Sequence, residues 1–124
     1  LEHRDYVQEM QVETAKDGYQ FTFVIADIAG YEGENSINQT LYHVQADSLA
    51  MAADLYQREN ERQLDFGHMK QIAADMTGQE IHPLLLELGH RSGISKSIPV
   101  MMETDGAKYI LREMIKAAYG RESL

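Results

Sequence analysis

Between Asp5 and Glu13 apolar and polar side chains alternate imperfectly, with Tyr6, Gln8, Met10 and Val12 on even positions and Asp5, Val7, Glu9, Gln11 and Glu13 on odd ones. A period of two places successive side chains on opposite faces of a strand, so this stretch predicts a strand whose acids point outward. Lys16-Asp17-Gly18 supplies turn chemistry, because glycine takes positive φ without strain. Residues 19–28 then carry Tyr19, Phe21, Phe23 and Ile25 on one face and Thr22, Val24, Ala26 and Ile28 on the other, apolar enough for an interior strand of a hairpin. Residues 30–39 (GYEGENSINQ) read as a polar, glycine-rich loop, and residues 40–45 (TLYHVQ) as a third strand.

The period then changes. Asp47 or Ser48 can cap a helix over about residues 48–63, in which Leu49, Ala52, Ala53 and Tyr56 fall at helical spacing. Asp54 and Arg58 stand four apart on its exposed side, a pairing that contributes only a few tenths of a kcal/mol. Asp65 can cap a second helix with Phe66, Met69, Ile72, Ala73 and Met76 as its stripe and Gly78 as its terminator. His82-Pro83 begins a third, burying Leu84, Leu85 and Leu88. From Pro99 the positions Val100, Thr104, Ala107, Leu111, Met114 and Ala118 form a helical seam ended by Gly120, either continuous or broken near Thr104-Asp105. Strands first and helices afterwards predict one α+β domain over residues 1–124. Its architecture is an N-terminal three-stranded antiparallel sheet with three to four helices packed on it.

Charge sharpens this picture. The 124 residues hold 11 Lys plus Arg against 20 Asp plus Glu, for a net charge of −9. Residues 1–57 contain ten acids and two bases, whereas residues 58–124 contain ten and nine. An acidic front half repels phosphate backbones and anionic lipid, so direct nucleic-acid or membrane binding is not expected. A helix-turn-helix reading of residues 69–88 fails, since Gln79 stands where an apolar residue is wanted and Glu80 and Glu87 lie on the reading helix. No apolar run approaches the roughly 18–20 residues that span a bilayer. Cysteine is absent, which excludes disulfides and thiolate chemistry and fits a cytoplasmic setting. The chain begins with Leu, so a lost signal peptide stays open.

Candidate chemistry is sparse. Asp65-x-x-His68 and Glu87-x-x-His90 have the spacing of half a di-metal motif, but the other half needs carboxylates from two more long helices. No metal site and no cofactor are therefore expected, and no catalytic residue is assigned. His90, Arg91, Ser92, Ser95 and Lys96 combine cations and hydroxyls in a loop expected to precede a helix N-terminus, an environment that suits an anion. The acids Asp5, Glu9, Glu13, Asp17, Glu32 and Glu34, with Tyr31 as an aromatic anchor, are the candidate surface for a basic partner.

Two readings follow. The first is a small acidic, non-enzymatic interaction or regulatory protein that binds a basic protein surface; its strongest form is an inhibitor that mimics nucleic-acid charge. The second is a domain or enzyme that binds a small anionic ligand between sheet and helices, using His43, His68, His82 or His90 with Arg91 and Lys96. Self-association through the methionine-rich last helix, giving a homo-oligomer, is a third.

Overall fold

The computed structural model describes residues 3–27 and 38–122. It opens with strands β1 (Arg4–Thr14), β2 (Tyr19–Asp27) and β3 (Asn38–Ala46). Next come α1 (Leu49–Asn60), β4 (Gln63–Asp65), β5 (Gln71–Asp75) and α2 (Gly78–His90), and then β6 (Pro99–Met102), β7 (Ala107–Ile110) and α3 (Leu111–Glu122). The antiparallel meander of β1, β2 and β3 is the one the alternation predicts, with Gly18 at φ +87 in its first turn. The residues that follow overturn the rest of the expected architecture. Instead of a three-stranded antiparallel sheet under three to four helices, the described residues form a seven-stranded mixed sheet with three helices. The strand order is β3-β2-β1-β5-β6-β7, and β4 pairs with β1 beside β5.

The physical reason lies in residues 63–76. The stripe Phe66, Met69, Ile72, Ala73, Met76 has helical spacing, but Ile72, Ala73 and Ala74 are a continuous buried run, which is also what a short parallel strand flanked on both sides looks like. Strand β4 pairs parallel with Arg4, Asp5 and Tyr6, and β5 pairs parallel with residues 9–13 of β1. Between them Phe66 and Met69 turn into the core, while the Lys70 N–H donates to the Gln8 carbonyl at 2.8 Å. The two strands thus act as one interrupted neighbour of β1.

The expected seam from Val100 to Ala118 is likewise a β6–β7 hairpin followed by α3. Gly106, at φ +69, donates to the Met102 carbonyl in the hairpin turn, and the Ala107 N–H is taken by Asp105. Gly120 lies inside α3 and does not end it. Helix α2 starts earlier than His82-Pro83, at a capping box in which Thr77 accepts from the Glu80 N–H and Glu80 accepts from the Thr77 N–H. Ser48 does cap α1, accepting from the Met51 N–H, and Asp54 pairs with Arg58 at 2.7 Å.

A bulge in β1 decides which side chains reach the core. Register shifts between Val7 and Glu9, so Val7, Met10 and Val12 share one face even though 7 is odd and 10 even. Their cross-strand rows run Val7 with Ile25, Met10 with Phe23 and Tyr42, and Val12 with Phe21 and Val44. On the other side the rows continue through Ile72 to Val100 and Ala74 to Met102. Leu49, Ala52 and Tyr56 of α1, Ile81, Leu84, Leu85 and Leu88 of α2, and Leu111 and Ala118 of α3 complete the same cluster, so the helices lie on this face. Each fully buried large apolar side chain here contributes about 1.5–3 kcal/mol relative to exposure.

Two contacts lock the helices to each other. The Glu87 carboxylate on α2 accepts the Leu49 and Ala50 N–H groups, both at 2.8 Å, and so caps the start of α1 from outside that helix. Gly89 faces α3 so closely that a Cβ there would stand 2.5 Å from the Tyr119 ring, whose hydroxyl donates to the Leu86 carbonyl at 2.7 Å.

Two glycine substitutions in this helix pair should act in opposite directions. Gly89→Ala is expected to lower stability by forcing Tyr119 away. Gly120→Ala, which meets nothing within 4 Å, should raise it by up to about 1 kcal/mol through helix propensity. Urea unfolding of both variants checks the pair. Equal effects would show that α2 and α3 are not in close contact at Gly89.

Candidate functional site

Among the described acids singled out from the sequence, Asp5 stands on a different face of the sheet from Glu9 and Glu13. The bulge turns Asp5 toward the helix-covered side, where its carboxylate accepts from the Tyr56 hydroxyl and from Arg62 Nε at 2.6 Å. Glu9, by contrast, lies on the opposite face of the sheet and accepts from Gln11 at 3.0 Å and Gln71 at 3.1 Å. Glu13 is exposed on that same face, in register with Gln20 and Asp75. Asp17 sits in the β1–β2 turn with its carbonyl accepting from Gln45. Tyr31, Glu32 and Glu34 lie outside the described residues.

The basic loop is tied to its own backbone. Lys96 Nζ donates to the Arg91 carbonyl at 2.8 Å and the Ile94 carbonyl at 3.0 Å, and the Ser95 and Ser97 hydroxyls bond each other at 2.9 Å. The Arg91 guanidinium lies over the Phe66 ring at 5.2 Å, and the His90 ring meets Tyr119 edge-on. Ser92 is exposed. The segment leads into β6, so the helix N-terminus expected after it is a strand. The other histidines disperse: His43 bonds Thr22 at 2.8 Å, His68 packs on Tyr6, and His82 lies between α2 and α3. Among the described residues no three His, Asp or Glu side chains gather as a metal site.

Two phenols paired with carboxylates fasten α1 to the sheet. Tyr42 of β3 donates to Glu59 and stacks edge-on against Tyr56, which donates to Asp5. Burial, reinforced by the Glu59 carboxylate, pushes the Tyr42 hydroxyl up to about 12. Burial and then Asp5 raise Tyr56 as well. On β4, the Gly67 N–H bond, followed by Arg4, holds the Asp65 carboxyl below the usual carboxylate range.

A mostly apolar concave surface lies elsewhere. Helix α2, strand β7 and helix α3 enclose a groove of about 850 Å³. Ile81 and Leu85 form its floor, while Tyr109, Ile110, Met114 and Ala117 form its walls. Tyr109 is 40% exposed and Ile110 44%, high for residues that point into an apolar recess. In register with Val100, Tyr109 faces the helix side of the sheet at a point where α2 and α3 leave the edge uncovered. Its hydroxyl donates to Asp105 at 2.6 Å, which fixes the ring at the groove mouth. At the lip, Arg121 donates to His82 Nδ1 at 2.9 Å, so His82 Nε2 carries the proton it donates to Glu122 at 2.8 Å. Of these residues the sequence reading weighed His82 alone as a functional group and placed Leu85 and Met114 on buried helix faces. The apolar run Tyr109-Ile110-Leu111 was the available signal, but a helical seam absorbed it.

The geometry thus defines an α+β domain that presents an apolar groove with a polar lip. Residues 1–116 match the family model described as the spore germination protein N-terminal domain, and the chain belongs to that family. No curated protein and no solved structure matches it. Membership overturns the reading of the chain as an acidic inhibitor that mimics nucleic acid, and the fold agrees, since the bulge in β1 separates Asp5 from Glu9 and Glu13. No helix of the described residues is long and apolar enough to cross a membrane.

The paired phenols generate a pH prediction. Both are held protonated in the fold above the ordinary value of 10.0, so each contribution is complete below pH 10 and declines as pH rises above it, that of Tyr42 through about 12. Tyr42→Phe should therefore flatten the fall in melting temperature between pH 10 and 12. Tyr56→Phe should do the same while costing about 1.5–3 kcal/mol at neutral pH, the contribution of a hydrogen bond to a charged group. Thermal melts across that range decide it; an unchanged alkaline slope in both variants would refute the assignment.

Proposed function

We propose that this chain is the N-terminal domain of a germinant-receptor component and works there as a non-catalytic binding module. The observation that carries the reading is the family match over residues 1–116. The groove supports the module role, because an apolar recess with polar groups at its lip is the anatomy of a binding surface. The dispersal of the histidines supports it too. Of the four weighed as acid or base, His82 alone reaches the groove, and its two ring nitrogens are engaged by Arg121 and Glu122.

The test belongs in spores of a spore-former that carries the gene. Removing the coding segment for this domain should slow the loss of refractility after germinant addition by at least tenfold, with spore yield and heat resistance unchanged. Restoring the intact segment should restore the rate. Spores that lack the domain and germinate at the parental rate would overturn the proposal.

A further inference from the structure

We propose that Asp17-Gly18, in the turn between β1 and β2, is a site of spontaneous covalent rearrangement to isoaspartate, and that the fold withholds the same chemistry from Asp105-Gly106. The chain holds these two Asp-Gly dipeptides, each in a hairpin turn. The reaction is intramolecular, so the reacting groups meet without a bimolecular encounter. The Gly18 backbone nitrogen attacks the Asp17 side-chain carboxyl carbon. A C–N bond forms, a C–O bond breaks, and the oxygen leaves as water with the proton lost from nitrogen, which gives a cyclic succinimide. Water then opens the ring. Addition at the former backbone carbonyl breaks its bond to nitrogen and leaves the chain running through the side-chain methylene, whereas addition at the other carbonyl restores aspartate. No oxidant, reductant or cofactor takes part.

Both aspartates are exposed, so access does not separate them. Hydrogen bonding does. The Gly106 N–H donates to the Met102 carbonyl at 2.8 Å, and the Asp105 carboxylate accepts from the Tyr109 hydroxyl at 2.6 Å and the Ala107 N–H at 2.9 Å. Attack at Asp105 breaks these bonds. The Tyr109 hydroxyl and then the Ala107 N–H also hold that carboxyl below the usual carboxylate range, in the ionised form that resists a nucleophile. At the other turn, no hydrogen bond among the described residues engages the Gly18 N–H or the Asp17 carboxylate. The Asp17 carbonyl, in contrast, accepts from Gln45 Nε2 at 2.9 Å. As the Gly18 N–H gives up its proton, charge moves onto that carbonyl oxygen, where the Gln45 donor stabilises it. Rearrangement lengthens a turn that Gly18 closes at φ +87, and it presents a free carboxylate on which enzymes that methylate isoaspartyl groups can act.

The inference goes beyond the receptor role and does not depend on it. The purified protein is kept for weeks at neutral pH, below its melting temperature, in water enriched in heavy oxygen. It is then digested in ordinary water and its peptides are read by mass spectrometry. The peptide carrying Asp17 should gain heavy oxygen and isoaspartate at least about tenfold faster than the peptide carrying Asp105, whose bonds must break first. In urea, where both turns are open, the two rates should converge. Asp17→Glu should abolish labelling at position 17, because its longer side chain forms the ring poorly, and leave Asp105 unchanged. Equal labelling of the two sites in the folded protein, or labelling of neither, would overturn the inference. A tenfold difference that persists in urea would overturn it in favour of an effect of neighbouring sequence.

Discussion

Every layer of this domain depends on β1 being hydrogen-bonded along both edges. β2 runs antiparallel on one side, and β4 and β5 run parallel in succession on the other. Because a strand's side chains alternate strictly, its register on both sides fixes which residues meet the helices, and the single extra residue at the bulge resets that choice halfway along. Val7, Met10 and Val12 thereby join one apolar face, and Phe21, Phe23, Ile72 and Val100 extend it in both directions. The helices have only this face to cover. Asp5 reaches Arg62 and Tyr56 because it lies on the same side as Val7.

The legible parts of the fold were those with a local cause. Gly18 ends β1 because the turn needs positive φ, and Ser48 starts α1 because its hydroxyl reaches the Met51 N–H; both are readable within four residues. The bulge was not readable, since an extra residue in one strand is defined only against its partner. Ile72, Ala73 and Ala74 were misread for a related reason. What makes them a strand is Met10, Val12 and Val100 beside them, about sixty residues earlier and about thirty later. Periodicity alone does not separate a short buried strand from a buried helical turn.

The groove was hidden by the same non-locality. Leu85 read as helix core, and Tyr109 and Ile110 fell between the seam positions Ala107 and Leu111; only the placement of β7 next to β6 and the packing of α3 on α2 leave a recess between them. The common face read for Asp5, Glu9 and Glu13 rested on a strict period of two, which the bulge between Val7 and Glu9 breaks. Composition had signalled the charge correctly, but not its placement.

The outside cap on α1 bears on how the chain is made. Synthesis delivers β1, β2 and β3 first, and their apolar face, with Phe21 and Phe23 at its centre, has no cover until later segments leave the ribosome. Helix α1 emerges next, but the carboxylate that satisfies its first two N–H groups belongs to Glu87, 38 and 37 residues further on. The nascent domain therefore passes through a stage with a bare sheet and a frayed helix, and docking of α2 ends both conditions together. That stage is where this domain is most exposed to aggregation and to chaperone capture, whatever the stability of the finished fold.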